Sequence, residues 1–312
     1  MTRRRALVLG SSGVLGIAWT LGTLAGIEEE TGWDAREADL IVGTSGGSLI
    51  ATLLRAGYSV PELCEAHLAE IEGVLPDEMA EDVPTKLAAT LATQPARPPL
   101  PWPTPGSVRL AARGLLTPWR TPPLATLAGL LPRGRGSLDH AEEFVAKLQG
   151  GPAREDTQVV AMNHRTGERT VFGRPGEPEA EHARAVIASM AFPGWFTPVR
   201  VGRDRYVDGG LCSPCSADLA DDADEVFVLA PLAGVALTRP RSPLALADWA
   251  YRCAAARMVE REASMLQAGG AEVRAFAPDA EALAVLGRNM MNGAARCEAL
   301  RFAHDHPTEL VA

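Results

Sequence analysis

Ser45 stands between glycines in Gly43-Thr44-Ser45-Gly46-Gly47, and Asp208 leads into two more in Tyr206-Val207-Asp208-Gly209-Gly210. These two residues have the type and setting for covalent chemistry. A Gly-x-Ser-x-Gly lifts a hydroxyl to the apex of a turn too tight for a Cβ on either side. The hydroxyl then lies near a helix start, whose free N–H groups favour a developing negative charge. A serine nucleophile needs a base. A carboxylate serves when it is desolvated and within hydrogen-bond reach, and the glycines after Asp208 let another backbone come close to it. Histidine is the usual alternative, and the chain has six, His67, His140, His164, His182, His304 and His306, each expected at the surface. His304 and His306 follow Ser45 and Asp208 in the order of a Ser–Asp–His triad, so a His-dependent α/β-hydrolase stands as a rival reading.

The flanking sequence supplies the elements that must position the serine. Leu40-Ile41-Val42 reads as a buried strand and Leu49 to Leu54 as a helix. Residues 6–10 read as an earlier strand, followed by the small-residue turn Gly10-Ser11-Ser12-Gly13-Val14-Leu15-Gly16. A helix over 17–30 follows, with Ile17, Leu21, Leu24 and Ile27 at helical spacing. This is an α/β opening with parallel strands, and both turns fall at the C-terminal edge of one sheet. The Gly/Ser turn is a poor phosphate cradle. Only Gly13 and Gly16 fit the dinucleotide register, and no Lys-Ser/Thr pair follows. It is expected to lend backbone amides to an oxyanion beside Ser45.

A helix is expected over 61–72, with Pro61 in its first turn. Half of the 24 prolines then fall between Pro76 and Pro132, with Trp102 and Trp119 among them. Residues 73–136 therefore read as an insertion off the core, either a surface excursion or a lid or lipid-contacting flap, with apolar helical fragments at 108–116 and 124–131. Ser137 is the expected N-cap of a helix through Leu148. Thr157–Met162 and Glu168–Phe172 form a hairpin or neighbouring strands, and a helix covers 179–191. Val199–Val201 and Arg205–Val207 form a second hairpin that delivers Asp208. A strand over Glu225–Ala230, an amphipathic helix over 242–268, a strand over Ala271–Ala277 and a helix over 293–303 complete the reading.

Bulk properties narrow the classes. A net charge of −9 argues against a nucleic-acid partner, although a local apolar or basic patch can still meet a membrane surface. The basic start Met1-Thr2-Arg3-Arg4-Arg5 leads into only four apolar residues, too few for a secretory leader, and no apolar run is long enough to span a bilayer. Five scattered cysteines suit reduced thiols, so a cytoplasmic location, within reach of a membrane surface, is expected. Cys212-Ser213-Pro214-Cys215 has no second pair and reads as packing thiols. No pattern asks for a metal or cofactor.

Four blocks, in order, resemble the patatin-like phospholipases and acyl hydrolases. Gly10-Ser11-Ser12-Gly13-Val14-Leu15-Gly16-Ile17-Ala18 is similar to the family's glycine-rich oxyanion loop, and Gly43-Thr44-Ser45-Gly46-Gly47 to its nucleophile elbow. Ala188-Ser189-Met190-Ala191-Phe192-Pro193-Gly194-Trp195-Phe196-Thr197-Pro198-Val199 resembles its Ala-Ser-x-x-x-Pro-x-x-Phe-x-Pro segment, and Tyr206 to Leu211 its Asp-Gly-Gly block. The resemblance covers roughly 6–72 and 137–235. It implies a three-layer α/β sandwich with a mostly parallel central sheet, and hydrolysis of lipid esters by a Ser–Asp dyad. Ser45 would be the nucleophile, Asp208 the general base, and the amides of Ser12, Gly13, Val14 and Gly46 the oxyanion hole, with no metal. One domain over 1–312 is expected, with its core at about 6–235, the Pro-rich insertion at 73–136 and a helical C-terminal part at 236–312. The sequence departs from the family at Ser11 and Ser12, where glycine is usual, and at Leu15, where Arg or Lys is usual. Those departures keep a lipid-binding or regulatory protein without turnover as a second rival, and the missing charge at Leu15 leans toward neutral esters.

Overall fold

The computed structural model describes residues 3–69, 105–117, 123–287, 289–290 and 293–311. Most of the Pro-rich segment, with Trp102, Trp119 and the expected helix end at 70–72, lies outside them. The strands are β1 (Arg5–Leu9), β2 (Leu40–Thr44), β3 (Thr157–Asn163), β4 (Arg169–Phe172), β5 (Val199–Val201), β6 (Asp204–Asp208), β7 (Glu225–Leu229), β8 (Glu272–Phe276) and β9 (Glu309–Val311). The helices are α1 (Val14–Thr31), α2 (Gly46–Arg55), α3 (Val60–Ala69), α4 (Val108–Leu116), α5 (Pro123–Leu130), α6 (Asp139–Leu148), α7 (His182–Met190), α8 (Pro243–Ala268), α9 (Ala280–Leu286) and α10 (Arg296–Asp305).

All nine strands of the described residues belong to one sheet, ordered β5-β6-β3-β2-β1-β7-β8-β9 with β4 also on β3. The β1, β2, β3, β7 and β8 pairings at its centre are parallel, and the pairings of β4, β5, β6 and β9 are antiparallel. Parallel strands buried on both faces read as continuous apolar runs, as Ala6-Leu7-Val8-Leu9 does. Alternate residues then feed two cores. Leu7, Leu9, Ile41 and Phe227 face one that includes α1, α2 and α7, while Ala6, Val8, Val42 and Val228 face another closed by α8. A mostly parallel sheet between two helical layers is the expected three-layer α/β sandwich.

Several boundaries differ from the sequence reading, each for a local reason. α1 starts at Val14, three residues early, because Gly13 serves as its N-cap in extended backbone and Val14 to Gly16 are already wound. α6 starts at Asp139, because the Ser137 hydroxyl accepts the Asp139 N–H at 3.1 Å and closes a turn ahead of the helix. The periodicity gave no sign of α9 or β9. β9 is a three-residue antiparallel edge strand that Phe276 and Ala275 receive, so only tertiary pairing defines it.

Candidate active site

The sheet register explains how two residues 163 positions apart come together. Val160 pairs with Thr44 of β2 and with Val171 of β4, while Ala161 pairs with Asp208 of β6 and with Thr170 of β4. A strand residue has two edges. With β4 on one edge at both positions, β2 and β6 must share the other, running toward each other end to end. Their C-termini abut, so Ser45 follows Thr44 at the junction where Asp208 ends β6.

The elbow at that junction is strained and tightly held. Ser45 has φ 54° and ψ −125°, and it is one of three non-glycine residues with positive φ among the described residues. Such a conformation costs about 1–3 kcal/mol and persists only where the surroundings over-determine it. Here the Ser45 N–H donates to Ser189 Oγ at 2.7 Å, and Ser189 in turn donates to the Val160 carbonyl at 2.6 Å. The Ser45 carbonyl accepts from the Ser48 N–H at 2.9 Å and the Ser48 hydroxyl at 2.6 Å. Gly47 crosses the end of β1 so closely that a methyl there would overlap the Leu9 carbonyl oxygen and stand 2.8 Å from the Gly10 oxygen. Gly47→Ala therefore sets backbone against backbone, and is expected to cost about 3 kcal/mol or more of stability. Chemical denaturation will check this, and a wild-type midpoint would refute so close a crossing.

Asp208 is buried at 4% exposure. Its Oδ1 accepts the Gly210 N–H at 2.8 Å and, more weakly, the Ser11 hydroxyl at 3.4 Å. Burial pushes its carboxyl up to about 6, and hydrogen bonding from the Ser45 hydroxyl, the Gly210 amide and the Ser11 hydroxyl acts the other way. A carboxylate of that basicity, facing a serine hydroxyl, suits proton abstraction near neutral pH.

The Gly/Ser loop borders the same point. The Ser11 N–H is committed to the Pro214 carbonyl at 2.7 Å and the Leu15 N–H to the Met290 carbonyl at 2.9 Å. Between them, the amides of Ser12, Gly13 and Val14, like that of Gly46, meet no acceptor among the described residues. Neither Ser11 nor Ser12 has positive φ, so this loop accepts a Cβ where the related pattern has glycine. The Ser12 hydroxyl packs directly over Gly46, where an added Cβ would overlap it. Leu15 turns into the core at 1% exposure and adds no charge of its own to the loop.

Ser45 and Asp208 form the floor of a cavity of about 520 Å³. Its walls include Ile17, Leu49, Phe144, Met190, Phe196 and Met290. Phe192, 45% exposed, stands at its mouth. Met290 and Ser189 were not assigned roles from the sequence. Ser189 sits in the quoted Ala-Ser segment, and that segment was the signal for it. Met290 reaches the loop only through tertiary packing.

Three of the six histidines are placed differently from the surface positions expected, while His140 and His306 are exposed as expected. His67, His164 and His182 are buried, and burial lowers each to about 4. Their helices and hairpin turn inward: His182 Nε2 pairs with the Thr52 hydroxyl at 2.9 Å. His304 bridges Glu29 and Asp305, and His306 lies against the Phe302 carbonyl. His140 is exposed and lines the cavity. No histidine among the described residues hydrogen-bonds Ser45 or Asp208. Cys212 and Cys215 point to different carbonyls, of Gly167 and Leu229, each at 3.8 Å. They are free thiols, and burial raises both.

Comparison with known proteins gives a family and similar solved structures, VipD among them. The model of the patatin-like phospholipase family matches residues 7–221. VipD from Legionella pneumophila is similar at 14% identity with a TM-score of 0.45, over 98% of this chain and 66% of that one. The chain thus spans just under two thirds of VipD, a likeness too low to carry function across. No curated protein matches the sequence.

Proposed function

Since the chain belongs to the patatin-like phospholipase family, we propose that it is a lipid acyl hydrolase in which Ser45 is the nucleophile and Asp208 the general base. The observation that carries this is the abutment of β2 and β6, with a strained serine and a buried carboxylate meeting at the floor of an apolar cavity.

The chemistry follows from the atoms present. Asp208 takes the Ser45 proton as Ser45 Oγ bonds to the ester carbonyl carbon. The carbonyl oxygen becomes an oxyanion, held by the amides of Ser12, Gly13, Val14 and Gly46; losing one such donor typically costs about 10²–10³ in rate. Collapse breaks the bond to the alcohol, which leaves with the proton from Asp208. Water then gives a proton to Asp208 and attacks the acyl-enzyme; collapse breaks the bond to Ser45 Oγ, which takes that proton back from Asp208 as the acid departs. Gly43, Gly47, Gly209 and Gly210 allow the close crossings that this arrangement needs. The residues after 221 add β7, β8 and β9 to the same sheet, in keeping with one catalytic unit over the whole chain.

The cavity favours an acyl chain over a charged head group, because its described lining residues include no lysine or arginine. Burying a methylene is worth about 0.8 kcal/mol, or up to roughly fourfold in kcat/KM. A p-nitrophenyl ester series from acetate upward is therefore expected to gain about two- to fourfold per methylene until the cavity is full. A flat profile would count against the cavity as the acyl site.

A further inference from the structure

Helices α4 and α5 are joined to each other and to the sheet by small residues. A methyl on Gly114 would overlap the Thr126 side chain, and one on Gly129 would stand 2.6 Å from the Ala111 nitrogen. Their inner faces bury Leu110, Ala125 and Ala128 against Met162, Val207 and Leu211. Their outer faces are apolar as well. Val108, Leu115, Leu116, Leu127 and Leu130 are 68%, 67%, 75%, 50% and 46% exposed. Single exposed leucines are ordinary; five on one helix pair form a patch of the kind that marks an interaction surface.

The charge around the patch identifies what it meets. Over residues 105–117 and 123–138 the sequence has four arginines and no Asp or Glu, in a chain whose net charge is −9. On α4, the i, i+4 spacing sets Val108, Ala112 and Leu116 in one strip and Arg109 and Arg113 in the strip beside it. Arg113 shares Glu168 at 3.3 Å, and Arg109 is exposed with no acidic partner among the described residues. An apolar strip flanked by arginine is the pattern of a helix lying in the interface of an anionic bilayer. A two-fold contact with a second copy would set the Arg109 strips against each other.

The patch is also tied to the cavity mouth. The Gly106 N–H donates to the Leu131 carbonyl at 2.7 Å, and Pro105 bridges Pro132. The chain after α5 then runs along Trp195, to whose carbonyl the Gly136 N–H donates at 2.8 Å, and into Ser137 and Leu138 of the cavity wall.

We propose that the outer faces of α4 and α5 dock this protein on an anionic phospholipid surface, with the cavity mouth at Phe192 turned toward the lipid. This rests on the acyl-hydrolase reading for its purpose, but not for its test. The whole chain should co-sediment with phosphatidylcholine vesicles in which about a quarter of the lipid is phosphatidylglycerol, more than with phosphatidylcholine alone, and added salt should weaken it. Arg109→Glu, and separately the double variant Leu115→Asp/Leu116→Asp, should each lose roughly tenfold or more in partitioning while hydrolysing soluble p-nitrophenyl butyrate as wild type does. Ser45→Ala should bind vesicles like wild type. If butyrate is not hydrolysed but vesicles are bound as described, the proposed function fails and the docking surface stands. Equal binding to neutral and anionic vesicles, or wild-type binding by both patch variants, would overturn the docking proposal. So would a concentration-dependent dimer in sedimentation velocity that Leu115→Asp/Leu116→Asp abolishes, because a second copy would then cover the patch.

Discussion

Ser45→Ala is expected to remove ester hydrolysis by about 10⁴–10⁶-fold in kcat, the scale seen when a serine nucleophile is deleted. The loss should be the same for every acyl length, because the substitution leaves the apolar walls of the cavity intact. Stability gives a second readout. Ser45 sits at φ 54°, and alanine inherits that strain, so Ser45→Ala should melt near the wild-type temperature. Ser45→Gly relieves it and should melt higher, by the equivalent of about 1 kcal/mol or more, while being equally inactive. Turnover by both variants within an order of magnitude of wild type would sink Ser45 as the nucleophile.

How much of this site could be read from the chain depended on the range of the interactions. The elbow was legible because its causes are local: an apolar strand, glycines at the close crossings and an apolar helix lie within residues 40–54. Asp208 was legible through its glycines and the preceding hairpin. That β2 and β6 meet end to end was not, because it follows from which edge of β3 the strand β4 occupies. The Gly/Ser loop was legible as a small-residue turn that opens a helix. Its tolerance of serine depended on φ angles that no residue type encodes. His67, His164 and His182 were misplaced because a polar neighbourhood in sequence does not reveal which face of an element turns inward. The segment carrying Met290 closes over Gly13 from 277 residues away, and such a contact leaves no trace in local periodicity.

Asp208→Asn is expected to move activity and stability in opposite directions. The Asp208 carboxyl titrates at about 6 in the fold, against an ordinary value of 3.8. A raised carboxyl favours its neutral form in the folded state. Its stabilising effect is therefore complete below the ordinary value, and is lost as pH rises through about 6. Above that, holding the buried carboxylate ionised costs roughly 3 kcal/mol. Asparagine keeps an oxygen for the Gly210 N–H and never ionises. The variant should match wild type in stability below about pH 4 and exceed it by roughly 2–3 kcal/mol at pH 7, as measured by denaturant titration at each pH. Asp208→Ala, which also leaves the Gly210 amide without its acceptor, should not show that gain. The catalytic sign is reversed, because only the ionised carboxylate can take the Ser45 proton. Wild-type kcat/KM should rise about tenfold per pH unit up to about 6 and then level off, while both variants lose about 10²–10⁴-fold on the plateau. A wild-type rate independent of pH between about 4 and 7, or an asparagine variant that is no more stable than wild type at neutral pH, would mean that Asp208 is not the desolvated base of this site.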